Sequence, residues 1–376
     1  MIYLDYNATT PIDPQVAHAM LPYIQEHFGN PSSSHALGQT TKLAVEKARE
    51  QVATLLGCSS DEILFTSGGS ESNNMAIKGT AYTLRYKGDH IITSSIEHPA
   101  VLNPCKHLEE QGYRISYLPV NEDGIVQVEE LERIITAHTV LVSVMLANNE
   151  TGTIQPLEEI SRICRKHQVL LHTDASQAIG KIPVLVNELG VDFLTIAGHK
   201  LYAPKGIGAL YIRKNITIEP LIHGAGHESG RRAGTENVIF DVALGKACEI
   251  AKENLNDSTV KELTDYFYLG LQRIFGENIH LNGDLVKKLP NTLNVSFLGE
   301  NGSDILTSLG NDIAASTGSA CHSGLVTISP VLKAMGIPYE IARGAVRFSL
   351  GRNTSKYEID EVLNRLEVLH KKQKGD

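Results

Sequence analysis

The 376-residue sequence has no apolar run near the ~18 residues that a membrane-spanning helix needs, so no membrane partner is expected. It is short of basic charge: 34 lysines and arginines stand against 43 aspartates and glutamates, a formal net charge of −9. A phosphate backbone needs a net basic face, so a nucleic acid is not expected as the main partner. Cysteine is sparse as well. The five, Cys58, Cys105, Cys164, Cys248 and Cys321, are odd in number and contain no Cys-x-x-Cys pair. That argues against a disulfide framework and against structural zinc, and no metal site is expected. Neither Gly-x-Gly-x-x-Gly nor the Walker pattern occurs, which counts against dinucleotide and nucleotide binding. The amino terminus, MIYLDYNATTP, lacks the charged-then-apolar layout of a signal peptide, so the expected compartment is the cytoplasm.

What is present is globular: 42% hydrophobic and 20% charged residues. Residues 43–57 place Val45, Ala48, Val52, Leu55 and Leu56 on one helical face, with Gly57 as the stop. Short apolar runs then alternate with helical stretches, at 91–95, 139–146, 169–174, 191–196 and 208–212. Such alternation predicts βαβ units and a mostly parallel sheet covered on both faces, with ligands at the strand C-termini. From about residue 259 the pattern loosens into a smaller α+β region ending in a helix, for which Ser355 and Glu358 form a capping box. The expected division is an N-terminal segment 1–14 joining the small domain, a large domain 15–258 and a small C-terminal domain 259–376.

Several runs end in chemistry-bearing residues. Lys200, in Ala197-Gly-His-Lys200, follows a run that should be buried. Burial disfavours the ammonium form, and a neutral amine is the nucleophile that makes Schiff bases. Asp174, read alone, is equally a helix N-cap; beside such a lysine it suits the pyridinium nitrogen of pyridoxal phosphate. Thr66-Ser-Gly-Gly-Ser70 precedes a helical stretch, where bare backbone, a hydroxyl and the helix dipole favour an anion. His98 and Asn148-Asn149 follow two more runs. Cys321 lies among small residues next to His322, a setting that leaves a thiol accessible and favours its thiolate.

Together these segments resemble the class V, fold-type I pyridoxal-phosphate enzymes, and within them the cysteine desulfurases and selenocysteine lyases. The motifs run the length of the chain: Tyr3-Leu-Asp-Tyr-Asn-Ala-Thr-Thr-Pro11, Gly29-Asn-Pro-Ser-Ser33, Phe65-Thr-Ser-Gly-Gly-Ser-Glu71, Asn148-Asn-Glu-Thr-Gly152, His172-Thr-Asp-Ala-Ser-Gln177, Gly198-His-Lys200, Gly230-Arg-Arg-Ala-Gly-Thr-Glu236, Gly318-Ser-Ala-Cys-His322 and Val346-Arg-Phe-Ser-Leu-Gly-Arg352.

The resemblance implies a large domain with a mostly parallel seven-stranded sheet flanked by helices, plus the smaller α+β domain, which carries the catalytic cysteine loop. It implies that Lys200 holds the cofactor, Asp174 pairs with the ring nitrogen, Gln177 contacts the ring oxygen and His98 stacks on the ring. Gly69, Ser70 and His199 would hold the phosphate, with Thr235 reaching it from the second subunit of a homodimer. Asn30 and Asn149 would lie near the substrate, Arg347 would bind its carboxylate, and Cys321 would accept the sulfur. L-cysteine would yield alanine and an enzyme persulfide for an acceptor protein, in iron–sulfur assembly, tRNA thiolation or selenium recycling. L-selenocysteine is the alternative substrate; another class V reaction or a non-catalytic scaffold is the more distant one. Many desulfurases place a phosphate-binding serine where this chain has Ala197. That departure costs a hydroxyl donor and, with Cys321-His322, leans toward the selenocysteine-lyase-like branch.

Overall fold

The computed structural model describes residues 1–317 and 328–374 of the chain. Its centre is a seven-stranded sheet in the order Ile63–Thr66, Gly208–Ile212, Phe193–Ala197, Leu170–Asp174, Thr139–Ser143, His90–Ser94, Arg114–Leu118. Neighbours run parallel except at Gly208–Ile212, which is antiparallel to both strands beside it. Five of the strands are buried at every residue. Helices cover both faces of such a sheet, so its strands read as continuous apolar runs instead of alternating ones. The edge strand Arg114–Leu118 is half exposed and carries no such run, and it was not foreseen.

The long helix Ala36–Leu56 stops at Gly57, which takes the left-handed conformation (φ 67°) expected of a terminal glycine. It begins at Ala36, ahead of the stretch 43–57 that the apolar face marked. It packs on the helix Val238–Asn254, where a Cβ on Gly245 would come within 2.6 Å of Ala48 Cα; the missing side chain sets how closely the two axes approach.

The smaller region is built on an antiparallel sheet of Ile279–Leu281, Thr292–Phe297 and Ala345–Ser349. The helices Thr259–Phe275 and Lys356–Lys374 contribute to the same apolar core, in which Phe267 meets Phe348 edge-on and Phe275 meets Phe297 likewise, each pair 5.0 Å between centroids. The last helix opens with the expected capping box: Ser355 N donates to Glu358 Oε2 at 2.8 Å, and Glu358 N donates to Ser355 Oγ at 3.3 Å.

The N-terminal strap ties the two regions together. Ile2–Tyr3 pairs with Ile313–Ala314, and Leu4 is fully buried in the smaller core. Asn7 N then donates to Ser349 Oγ at 2.9 Å, and Thr10 N donates to His199 O at 2.9 Å, beside the end of the strand Phe193–Ala197. Residues 5–10 therefore cross directly over the C-terminal ends of the large sheet. Among the described residues no helix is long and apolar enough to cross a membrane.

Candidate active site

A cavity of about 390 Å³ opens at those strand ends, beneath the strap, a volume typical of small-molecule sites. Each wall follows from one connection. The strand Ile63–Thr66 turns through Gly68 into the helix that begins at Gly69. Gly68 has φ 147°, a conformation that favours glycine, and its Cα would lie 2.7 Å from a Cβ on Gly208, so the two backbones meet with no room for a side chain at Gly208. A Cβ on Gly69 would come 3.2 Å from Ala197 Cβ and 3.3 Å from Ser176 Oγ. Gly69 thus leaves a cradle floored by bare amide backbone, with Ser70 and His199 also on its walls.

Asp174 ends the strand Leu170–Asp174 and is held at both oxygens. Asn73 Nδ2 donates to Oδ2 at 2.7 Å, and Ser176 N donates to Oδ1 at 2.9 Å. His98 caps the helix Pro99–Glu110, its Nδ1 accepting from Ala100 N at 3.1 Å. In neutral imidazole that leaves the proton on Nε2. Burial lowers its pKa, Lys200 lowers it further and Asp174 partly offsets this, so the neutral ring is favoured. His199 is pushed down to about 4, first by burial and then by Lys200 and Lys205.

Lys200 closes the short turn Gly198–Lys200 after the strand Phe193–Ala197. Its Nζ donates to the main-chain carbonyls of Asn7 and, at 2.7 Å, of Ala8. Burial drives its pKa down to about 8, and Arg347 lowers it further, while Asp174 and Asp5 pull the other way. A neutral fraction far above that of an ordinary lysine is what a nucleophilic amine requires. Arg347, on the strand Ala345–Ser349 of the smaller sheet, reaches in from the opposite wall. Its Nη1 donates to Asn149 O at 3.0 Å and its Nη2 to Asp5 Oδ1 at 2.6 Å, while its buried Nε–H has no partner.

Nine of the residues singled out in the sequence therefore line one cavity: Gly69, Ser70, His98, Asn149, Asp174, Gln177, His199, Lys200 and Arg347. Two are not brought there. Asn30 is exposed and spends Oδ1 on Ser32 N at 2.9 Å, closing a turn. Thr235 is exposed and lines a neighbouring hollow with Ser67 and Gly206. Cys321 and His322 lie outside the described residues. The other four cysteines are free. Burial pushes the thiols of Cys58, Cys105 and Cys164 up to about 12, and raises that of Cys248 as well, so none of these four supplies a thiolate at neutral pH.

Sequence reading missed three contributors. Asn7, Asn73 and Ser176 all line the cavity. Asn7 and Ser176 sit inside motifs already quoted and Asn73 lies two residues past one, but what gives all three a role is their neighbours in space. Ser176 bears directly on Ala197: no described group binds its hydroxyl, and it stands beside the Gly69 cradle. It can supply the donor that Ala197 lacks.

The donor set fits pyridoxal phosphate. An amine with a lowered pKa can form the imine, and a doubly anchored carboxylate can hold a pyridinium proton. A bare-backbone cradle with hydroxyls suits the phosphate, and a neutral imidazole lies along the same cavity.

Comparison with known proteins agrees. A family model described as aminotransferase class-V matches residues 2–362. The cysteine desulfurase IscS of Dictyoglomus turgidum is 48% identical over 374 residues, covering 99% of this chain and 95% of that protein. The cysteine desulfurase IscS of Methanosarcina thermophila is 49% identical over 365 residues, covering 96% and 90%. Among solved structures, a NifS-like protein superposes with a TM-score of 0.92 at 42% identity over 98% of both chains. SspA in complex with cysteine gives a TM-score of 0.83 at 38% identity, covering 93% of this chain and 99% of that one.

Proposed function

The chain belongs to the aminotransferase class-V family, and from that membership we propose that it is a pyridoxal-phosphate-dependent cysteine desulfurase, taking sulfur from L-cysteine and leaving L-alanine. The observation that carries this is the convergence of Lys200, Asp174, His98 and Arg347 on one cavity, with the lysine amine already held toward its neutral form. The relatives named above are cysteine desulfurases at 48% and 49% identity, so the lean toward selenocysteine drawn from Ala197 and Cys321-His322 gives way to sulfur.

On this reading Lys200 holds the cofactor, and Asp174 keeps a proton on its ring nitrogen. Gln177 turns an N–H toward the ring oxygen, His98 lies against the ring, and Gly69, Ser70, Ser176 and His199 take the phosphate. The cofactor, when bound, supplies the electron sink for the pair left at the substrate Cα. Arg347 binds the substrate carboxylate, releasing Asp5 to do so, and Asn149 lies beside it. Lys200, freed once the substrate amine is bound, takes the Cα proton. The Cys321 thiolate then attacks the substrate sulfur. The new S–S bond forms as the Cβ–S bond breaks, the electron pair stays on Cβ and takes a proton there, and Lys200 returns a proton to Cα to complete alanine. The persulfide on Cys321 passes its outer sulfur to an acceptor protein.

The large unit 15–258 carries the cavity floor, and the unit 259–376, joined by 1–14, carries Arg347 and the cysteine segment. Thr235 serves the cavity of a second copy in a homodimer; its exposure and its place beside Ser67 support this. Free cysteines throughout the described residues fit a reducing, cytoplasmic setting. The test is alanine release from L-cysteine by the purified protein, with and without a thiol acceptor. Turnover to alanine that Cys321→Ala abolishes supports the reading. Full turnover in Cys321→Ala would point to a class V reaction needing no thiol.

A further inference from the structure

One buried titratable side chain has no part in the chemistry above. Lys181 stands four residues beyond Gln177, on the wall of a small hollow of about 70 Å³ behind Lys200. Part of its stem reaches solvent, but the amine is enclosed. Its Nζ donates to Asn7 Oδ1 at 3.1 Å and to Gln177 Oε1 at 3.0 Å. Burial pushes it down to about 7, and the positive Lys200 and Arg347 facing it push the same way. A neutral amine has two N–H donors, and these two bonds use both.

That arrangement decides which end of the Gln177 amide faces which neighbour. Gln177 Nε2 donates to Asn7 O at 2.9 Å, the same carbonyl that accepts from Lys200. Turning the amide over would set its oxygen against the Asn7 carbonyl, a repulsive contact in place of a bond, and would take away the acceptor of one Lys181 N–H, leaving that enclosed donor unpaired. As it stands, one N–H of Gln177 is spent on Asn7 and the other remains for a ligand in the cavity that Gln177 lines. Asn7 is fixed from the same side, its Oδ1 also accepting from Asn291 Nδ2 at 3.1 Å.

We propose that Lys181 is a positioning residue that locks the Gln177 amide with its oxygen turned back and an N–H presented to the phenolic oxygen of the cofactor. The proposal rests on the cofactor reading above. A bond donated to that oxygen favours its ionised form and lowers the pH at which the visible chromophore titrates. Once released, the amide can turn its own oxygen toward it, and the midpoint rises.

The experiment is a spectrophotometric pH titration of cofactor-loaded wild type, Lys181→Met, Gln177→Ala and the double variant, with melting curves to confirm folding. Lys181→Met is expected to raise the midpoint by ~1 pH unit, a tenfold change in the proton equilibrium, and the double variant to shift no further than Gln177→Ala alone. An unshifted midpoint in Lys181→Met, or additive shifts in the double variant, would overturn the proposal. Should the Met variant not fold, Lys181→Gln, which is neutral and keeps two donors on one nitrogen, is expected to stay near the wild-type midpoint. A shift as large as that of Gln177→Ala would contradict the role. A wild-type protein with no visible band at all would instead sink the cofactor reading itself.

Discussion

Asn73 and Asp174 lie 101 positions apart in sequence and 2.7 Å apart in space, amide nitrogen to carboxylate oxygen. With Ser176 N on the other oxygen, the plane of the carboxylate is fixed before any ligand arrives. Asn73→Ala removes one charge-assisted bond, worth about 1.5–3 kcal/mol. Cofactor affinity, measured by equilibrium dialysis against pyridoxal phosphate, should fall at least ~10-fold. An unchanged dissociation constant would mean that Asp174 needs no such anchor.

Ser176 and Ala197 flank the same cradle from adjacent strand ends. If the Ser176 hydroxyl does the work that a serine at 197 would do, Ser176→Ala weakens phosphate binding by ~1–2 kcal/mol. Adding Ala197→Ser should recover most of that loss. Affinity for pyridoxal phosphate compared with that for pyridoxal separates the two cases, because only the phosphate ester should respond. Equal losses for both compounds would place Ser176 elsewhere in the binding.

Glu97 is the most deeply enclosed acid near the site. Its Oε1 accepts from Ser94 Oγ at 2.6 Å and Met145 N at 2.8 Å, and its Oε2 has no partner. Burial drives the carboxyl from 4.5 up to about 8, with the charge of Asp174 adding to the shift. Between those two values the folded protein holds a proton that the unfolded chain has released, so stability falls as pH rises through the window. Glu97→Gln cannot titrate. Its stability relative to wild type should climb across that range, by up to about 5 kcal/mol, as read from urea melts at several pH values. The amide's own N–H groups add a fixed cost, so the test is the slope. Parallel curves would show that Glu97 titrates normally.

Much of the site was legible because a parallel sheet gathers its strand C-termini at one edge. His98, Asp174 and Lys200 each follow an apolar run, and that alone brings them together. Other features carried no local signal. An apolar run has no direction, so nothing in Gly208–Ile212 marks it as antiparallel. The helix from Ala36 opens with Gly38, Thr40 and Thr41, which hide its first turns from an apolar periodicity. Lys181 follows a glycine and looks like any surface lysine; only Asn7 and Gln177, met through the fold, give it a role. Arg347 rests on a strand of the smaller sheet, and the strap contact with Asp5 that orients it spans nearly the whole chain.

The most direct test is chemical. The apo-protein is incubated with pyridoxal phosphate over a pH series, reduced with borohydride and digested, and the pyridoxyl mass is located among the lysine peptides. With the Lys200 amine held at about 8, labelling should rise through that pH and then level off, where an ordinary lysine, at its usual ~10.4, would still be climbing. The label should sit on the peptide containing Lys200 and vanish in Lys200→Ala. A label on Lys181 or Lys205, or none at any pH, would contradict the site described here.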